Sequence, residues 1–481
     1  MAAGTVSAVG RFGWWVLVVM VALVGCGQGA GRGGRDPREP LSVVRLDPQV
    51  PVTRVDVPLS PRWSSVVAAG GEILVLGGKD PAFKDPDPND EVTEFRYLAD
   101  GARFEVGSGR WWPIAPIPVG PLYHPGVVWT GEELVVVGSP CGAGSGELVD
   151  TEPSESVCRP GGLWVGAYSP RQDRWRTIER RPATEGTEPA EDVPWEVGPW
   201  GRAGRTAVFT TDLYKPLGGH VDRLLGVNPE TGTVRWLPRP LAGTPPETLD
   251  LAWPCEIGGL LLVADRLGRS LPPSALVSRT PLRVLRLDPE AGRWVQVAEA
   301  PRPVTDRLDH EITGCQGLGS ALVYLPVLLE PEPALGAGGL WWDGPAGRWE
   351  RVPPIPINPE NIDPLVVMAL ELDGQKVLMM SGRGVTSSPE SLEEWFVLAP
   401  GAGEWRRIPV LFPLWPELGV AGGIVAGWLM FTRDAPRPGE TELALRLSLV
   451  NVDHLIARVP SSSARTPTSA RTPTSAPASR G

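Results

Sequence analysis

The sequence predicts an all-β protein built from a repeated sheet unit. A Trp that follows a tight turn recurs every 55 to 64 residues over most of the chain. The 58 Gly and 55 Pro are spread along all 481 residues, which is typical of many short strands joined by turns. No long segment has apolar residues at the helical spacing i, i+3, i+4 and i+7, so we expect few helices.

Residues 1–25 predict a lipoprotein signal peptide. Arg11 supplies a weak positive charge ahead of Trp14–Val24, an apolar run of eleven residues. A membrane-spanning helix needs about 20 apolar residues, so the run is too short to span a bilayer. It ends in Leu-Val-Gly-Cys, which resembles the bacterial lipobox and implies lipidation of Cys26. The alternative is an ordinary signal peptide with a chance Cys.

The signal predicts export and a lipid anchor in the cell membrane, with the protein on the extracytoplasmic face. The Gly-rich residues 26–40 then form a flexible tether. At the other end, residues 461–481 repeat Ser-Ala-Arg-Thr-Pro-Thr and have almost no apolar side chains. Such a Ser/Thr/Pro-rich tail can bury too little apolar surface to offset the conformational entropy lost on ordering, so we expect it to be disordered.

Four further cysteines lie in what would be an oxidising compartment. Cys141 and Cys158 bracket a Gly-rich excursion, and we expect a disulfide between them worth about 3 kcal/mol. Cys255 and Cys315 lie about one repeat apart, which predicts either a second disulfide or two buried thiols. Zinc is not expected, because the sequence has no CxxC or HxxxH spacing.

The recurring tryptophans define a unit of four strands. Each follows a strand-like stretch and a turn, and most precede a short strand and prolines; they are Trp111, Trp175, Trp236, Trp294, Trp349 and Trp405. Upstream of most lies another pair of apolar strands. One four-stranded sheet cannot bury both of its faces alone, whereas sheets packed radially around an axis cover one another. We therefore expect a β-propeller in which each indole fills the gap between two blades.

The unit resembles the kelch repeat of the galactose oxidase type of propeller, whose marks are a Gly-Gly after the second strand and a Trp after the third. The Gly-Gly is clean only at Gly77-Gly78 and degraded at Gly138-Ser139 and Ser381-Gly382. The resemblance covers residues 61–460, where we count units starting near residues 61, 119, 198, 249, 308, 361 and 417. This count predicts a seven-bladed propeller over residues 41–460. Six or eight blades are the alternatives. The strand-like segment 41–59 is expected to pair with the last blade and close the ring.

Polar residues ahead of the inner strands predict a ligand site. His124 and His310 precede two inner strands, and other units carry charged residues at the same position: Arg62, Arg205, Asp250 and Asp363. Loops entering the inner strands converge on one mouth of the channel, so this mixed ring is the candidate ligand-binding site. The alternative is that these groups only cap and solvate the channel.

One acidic segment, residues 85–91, begins like a calcium-binding loop. Asp90 and Arg96 stand where such a loop needs Gly and Glu, so we interpret it as a solvated acidic loop and expect no metal.

The sequence excludes several classes of function but contains no motif that identifies one. A net charge of -11 argues against nucleic-acid binding. We find none of the catalytic or nucleotide-binding motifs that could be tested. These are the Tyr–Cys, Tyr and His set of the copper oxidase, the sialidase boxes, the G-x-S-x-G elbow, the P-loop and the Rossmann fingerprint. We therefore expect a monomeric, non-catalytic binding protein without a cofactor, with a glycan or an envelope protein as ligand. The alternative is a carbohydrate-active enzyme, epimerase-like or lyase-like, with its site at the channel mouth.

Overall fold

The computed structural model is all-β. The strands among its described residues pair antiparallel with their neighbours. The structure describes residues 40–46, 52–59, 63–80, 96–140, 162–182, 194–214, 220–238, 252–257, 260–265, 283–299, 321–324, 340–343, 347–351, 353, 362–372, 375–384, 394–398, 404–408, 423–425, 428–436 and 443–451.

Two short strands come first, followed by three four-stranded units. The N-terminal strands are β1 (Ser42–Val43) and β2 (Val52–Asp56). The first unit is β3 (Trp63–Ala69), β4 (Glu72–Asp80), β5 (Arg96–Glu105) and β6 (Arg110–Ile114). The second is β7 (Leu122–Trp129), β8 (Leu134–Pro140), β9 (Gly162–Ser169) and β10 (Arg174–Pro182). The third is β11 (Pro194–Ala203), β12 (Thr206–Tyr214), β13 (His220–Asn228) and β14 (Thr233–Leu237).

The rest of the chain repeats the pattern. The fourth unit is β15 (Ala252–Ile257), β16 (Leu260–Asp265), β17 (Arg283–Asp288) and β18 (Arg293–Glu299). The described part of the fifth is β19 (Ala321–Tyr324), β20 (Leu340–Asp343) and β21 (Arg348–Arg351). The sixth is β22 (Ile362–Leu372), β23 (Gln375–Gly384), β24 (Glu394–Leu398) and β25 (Arg406–Ile408). The last is β26 (Gly423–Val425), β27 (Trp428–Pro436) and β28 (Leu443–Asn451).

The sheets are arranged around an axis. The first described strand of each sheet lies beside that of the next: β26 beside β3, then β3 and β7, β7 and β11, β11 and β15, β15 and β19, and β19 and β22. Within each sheet the strands follow chain order outward from the axis, apart from β1 and β2, which lie at the outer edges of the first and last sheets. The arrangement is a β-propeller.

The up-and-down order gives the propeller two distinct faces. We call the face where the inner strands begin and the second strands end the loop face. The opposite face carries the tight turns after the first and third strands, such as residues 70–71 and 106–109, and we call it the turn face. A residue at the start of an inner strand and a residue just after its end therefore lie on opposite faces.

The N-terminal segment joins the first and last sheets. β2 pairs antiparallel with β28 and becomes the outermost strand of the last sheet, which confirms the expected pairing of segment 41–59 with the last unit. β1 was not foreseen: it pairs with β6 and adds a fifth strand to the first sheet. The two sheets also share one apolar core, in which Val55 of β2 packs with Phe104 and Trp111.

The turn before each recurring Trp is formed by local chemistry. Gly109, Gly292 and Gly347 each stand two residues before the Trp with φ of 65°, 60° and 62°, a left-handed conformation that glycine adopts without a Cβ penalty. In the turns before Trp236 and Trp294 an Asx side chain also fixes the backbone: Asn228 accepts from the N–H of Glu230, and Asp288 from that of Ala291. The segments therefore turn back as third-to-fourth-strand hairpins.

Three of the recurring indoles bridge neighbouring sheets, as expected. The Nε1 of Trp175, Trp294 and Trp405 each donates to a backbone carbonyl just after the outer strand of the preceding sheet. The acceptors are Ala115 O at 2.7 Å, Pro238 O at 2.8 Å and Pro353 O at 2.9 Å.

The sequence placed Gly77-Gly78 after the second strand, but the pair lies inside β4, where Gly77 (φ 52°) forms a bulge against β5.

Candidate functional site

A strained backbone marks the start of the second inner strand. His124, the third residue of β7, has φ of 35°, which is uncommon for a residue other than glycine. The pairing with β8 shifts register between Tyr123 and Gly126, so His124 and Pro125 form a bulge. Gly138 in β8 gives Pro125 room, because a Cβ at Gly138 would lie 3.2 Å from the Pro125 Cβ. Backbone strain of this kind is concentrated at functional sites.

Three rings from two neighbouring sheets meet at this bulge. The ring of His124 lies 4.5 Å from that of Tyr123 and 6.4 Å from that of Tyr97, measured between centroids. The two phenol rings are 5.4 Å apart, and all three pairs are tilted, at 45° to 56°. Tyr97 comes from the start of β5 in the first sheet, on the loop face. We call Tyr97, Tyr123 and His124 the aromatic corner.

The three side chains differ in burial. Tyr123 is only 8% exposed, whereas Tyr97 and His124 are half-buried. Burial raises the pKa of Tyr97 well above its usual range, and the neighbouring Tyr123 adds to the effect. The Tyr97 phenol therefore stays protonated at physiological pH and can donate and accept a hydrogen bond. The corner combines π faces with hydroxyl and imidazole groups, a composition found in small-ligand sites.

Arg205 does not share a face with His124. The sequence placed Arg205 before an inner strand, but β11 already ends at Ala203, so Arg205 lies in the turn that follows, on the turn face. There it is 57% exposed and forms ion pairs with Glu230 at 2.6 Å and Glu132 at 3.8 Å. Exposed ion pairs of this kind stabilise little. The prediction that Arg205 and His124 line the same mouth is wrong.

The other predicted mouth residues are described only in part. Asp363 is the second residue of β22, which puts its backbone at the loop-face end of an inner strand, as for His124. Arg62, Asp250 and His310 lie outside the described residues. The aromatic corner is therefore the part of the predicted mouth that the described side chains define.

Most of the other sequence predictions fall outside the described part of the chain. These are lipidation at Cys26, the disulfide partners Cys141, Cys158 and Cys315, and the acidic segment 85–91. Cys255 lies in β15, where its backbone pairs with Leu262 of β16. Among the described residues, no set of three His, Cys, Asp or Glu is grouped to hold a metal ion. No helix in those same segments is long and apolar enough to cross a bilayer.

Sequence reasoning found His124 but missed its two neighbours. Tyr123 is adjacent in sequence and could have been included, because the inner strand it shares with His124 was expected. Tyr97 belongs to the third strand of another sheet. Only the packing of the first sheet against the second brings it to His124.

Comparisons with known proteins identify no family for this chain. No protein-family description matches the chain, and no curated protein does. Among solved structures, the polysaccharide lyase Uly1 aligns with a TM-score of 0.49 at 9% identity, over 82% of this chain and 90% of that one. The β-propeller domain of the Trilobed protease from Pyrococcus furiosus gives a TM-score of 0.38 at 8% identity, over 78% and 91%.

A third alignment is with a prolyl endopeptidase, with a TM-score of 0.42 at 12% identity over 92% of this chain. This chain spans only 55% of the length of that enzyme. At such identities and TM-scores, the activities of these proteins are not transferred to this chain.

Proposed function

We propose that this chain is an exported lipoprotein, anchored through Cys26, whose propeller binds a glycan or an envelope protein at its loop face. The observation that carries the proposal is the aromatic corner, in which two phenols and an imidazole meet on a strained backbone. In this proposal the protein acts as a monomer without a cofactor, and its ligand-binding role is non-catalytic.

The finer description of the fold belongs to the same proposal. The described strands fall into seven sheets, with the last completed by β2, which supports seven blades. The bridging indole after the third strand supports the kelch type. The apolar run ahead of Cys26 supports export and anchoring.

Ligand binding is tested with the full-length protein purified in detergent. We would screen it on a glycan array and use it to capture partners from solubilised envelopes, beside the variant H124G. Glycine accepts the positive φ of His124, so H124G removes the ring without straining the bulge. The proposal predicts a ligand that H124G binds at least about fivefold more weakly. A ligand held equally well by H124G would move the site elsewhere.

Anchoring is tested separately with C26S. Wild-type protein should partition with membranes and carry a lipid detectable by mass spectrometry, and C26S should not. A C26S protein that still carries the lipid would exclude Cys26 as the anchor.

A second candidate function is a lyase-like or epimerase-like carbohydrate enzyme. It is favoured by the imidazole and phenol rings of His124 and Tyr123, 4.5 Å apart, which are groups that serve as general base and general acid. Incubation with any glycan found on the array would then yield an altered or cleaved sugar, detected by mass spectrometry. An unchanged glycan after long incubation supports the binding function instead.

A further inference from the structure

The aromatic corner offers more than a generic binding surface, because its three rings have different roles. Tyr123 is nearly buried and contacts both other rings, so it serves as a positioning residue. Tyr97 and His124 keep part of their surface exposed and come from different sheets. A ligand in contact with both would therefore bridge the first and second sheets.

The geometry points to an uncharged pyranose ring as the ligand, stacked on Tyr97 and hydrogen-bonded to the phenol and to His124. This inference rests on the proposed binding function and names the ligand class for that same site.

The chemistry of a sugar ring matches these groups. One face of a pyranose presents C–H bonds whose hydrogens carry partial positive charge, and these fit the negative π face of a phenol. Its hydroxyls each donate and accept a hydrogen bond, as do a neutral phenol and a neutral imidazole. A peptide that covered the same aromatic rings would present fewer hydroxyls to them.

Charge favours a neutral sugar over an acidic one. The chain has a formal net charge of -11, which repels an anionic ligand at long range. Tyr97 and Tyr123 are phenols, which carry no positive charge that could pair with a carboxylate. A uronic acid would also place its negative charge near the negative faces of the rings.

The backbone holds the corner ready before the ligand arrives. The bulge at His124 and Pro125 is flanked by antiparallel pairs with β8, Tyr123 with Ser139 before it and Gly126 with Val137 after it. Gly138 provides the space that the bulge needs. A site whose geometry is set in advance loses less entropy on binding. The surrounding pairs hold a non-glycine residue at φ 35°.

The test measures binding of neutral methyl pyranosides and methyl uronides to the full-length protein by calorimetry. Y97F keeps the ring and loses the hydroxyl, whereas Y97L keeps apolar volume and loses the ring. The matched control is Y324F, in β19 of another sheet. Near-ultraviolet circular dichroism of every variant establishes that it is folded.

We expect a neutral pyranoside to bind, Y97L to weaken it at least about fivefold, and Y97F to weaken it less. Y324F should bind like the wild type. Equal binding by Y97L, or tighter binding of uronides than of neutral sugars, would overturn the inference.

If no pyranoside binds, the inference fails as well. The proposed function is then tested by the protein capture alone: an envelope protein captured by the wild type and held more weakly by H124G supports it, and the absence of such a protein contradicts it. The two failures are therefore distinguishable.

Discussion

The indole of Trp175 donates its Nε1 hydrogen to the carbonyl of Ala115, 2.7 Å away, across the gap between the first and second sheets. Trp111 occupies the same position in the first sheet and is fully buried, yet its Nε1 has no hydrogen-bond partner among the described residues. Among the described residues, the last and first sheets are therefore joined by apolar packing around Trp111 and by the N-terminal segment, whose β1 pairs with the first sheet and β2 with the last.

This difference predicts unequal effects of the same substitution. W175F removes a hydrogen bond and leaves the Ala115 carbonyl without its donor, which costs about 1 to 3 kcal/mol beyond the loss of ring volume. W111F loses ring volume but no bond. Urea denaturation of both variants should show W175F to be the less stable by about that amount. Equal losses would mean that the bond contributes nothing net.

Asp173, in the turn between β9 and β10, links the same two sheets. It stands where other units have glycine, with φ of 47°, and its Oδ1 accepts from the Ala115 N–H at 2.9 Å and the Tyr168 hydroxyl at 2.7 Å. D173G relieves the backbone but loses both bonds, whereas D173N keeps an acceptor oxygen and tolerates positive φ. We expect D173G to lower the free energy of unfolding by about 1 to 3 kcal/mol and D173N by less.

The check on this prediction is a double-mutant cycle with Y168F. Because Tyr168 and Asp173 share a bond, the losses in D173G and Y168F should not add. Full additivity would show that the two side chains act independently.

The repeat explains why the sheet order and the indole bridges could be predicted. Each tryptophan follows a turn with its own local signal, such as Gly292 or Asn228, so the hairpins are encoded within a few residues. Their radial packing follows because a four-stranded sheet has two faces to cover. Both inferences need only local sequence and the requirement to bury apolar surface.

Arg205 shows where this reasoning fails. Its prediction started the third unit near residue 198, but β11 begins at Pro194, and the Gly- and Pro-rich residues 198–201 lie inside it. The pairing with β12 shifts register between Pro199 and Gly201, so a bulge accommodates residues that usually break strands. Bulges depend on the partner strand and leave no periodic signal. The same holds for the bulge at His124, which is why its strained backbone was not foreseen.

Alkaline pH should reveal two protected tyrosines. Burial raises the pKa of Tyr168, aided by its hydrogen bond to Asp173 and the negative charge there, and burial likewise raises that of Tyr97. A folded-state pKa above the unfolded value of about 10 means that the native state prefers the neutral phenol. This contribution to stability is complete below pH about 10 and is lost as pH rises through the folded-state pKa.

A titration followed by phenolate absorbance should therefore show part of the five tyrosines ionising only as the protein unfolds. In Y168F this late, unfolding-linked amplitude should shrink by one tyrosine. Ionisation of all tyrosines while the near-ultraviolet circular dichroism is still native would contradict the prediction.

The strand β2 makes the N-terminal segment part of the last sheet and of the core that this sheet shares with the first. Val55 is fully buried and Val57 nearly so, and β2 supplies the outer strand of the last sheet. Removing residues 1–40 leaves β1 and β2 in place and should not change the free energy of unfolding. Removing residues 1–59 exposes the edge of β28 and the core around Trp111, so the first and last sheets should lose protection in hydrogen exchange first. A synthetic peptide of residues 50–60 should restore that protection, because it can pair with β28 as β2 does. A chain without residues 1–59 that unfolds at the same urea concentration as the wild type would show that the ring closes without β2.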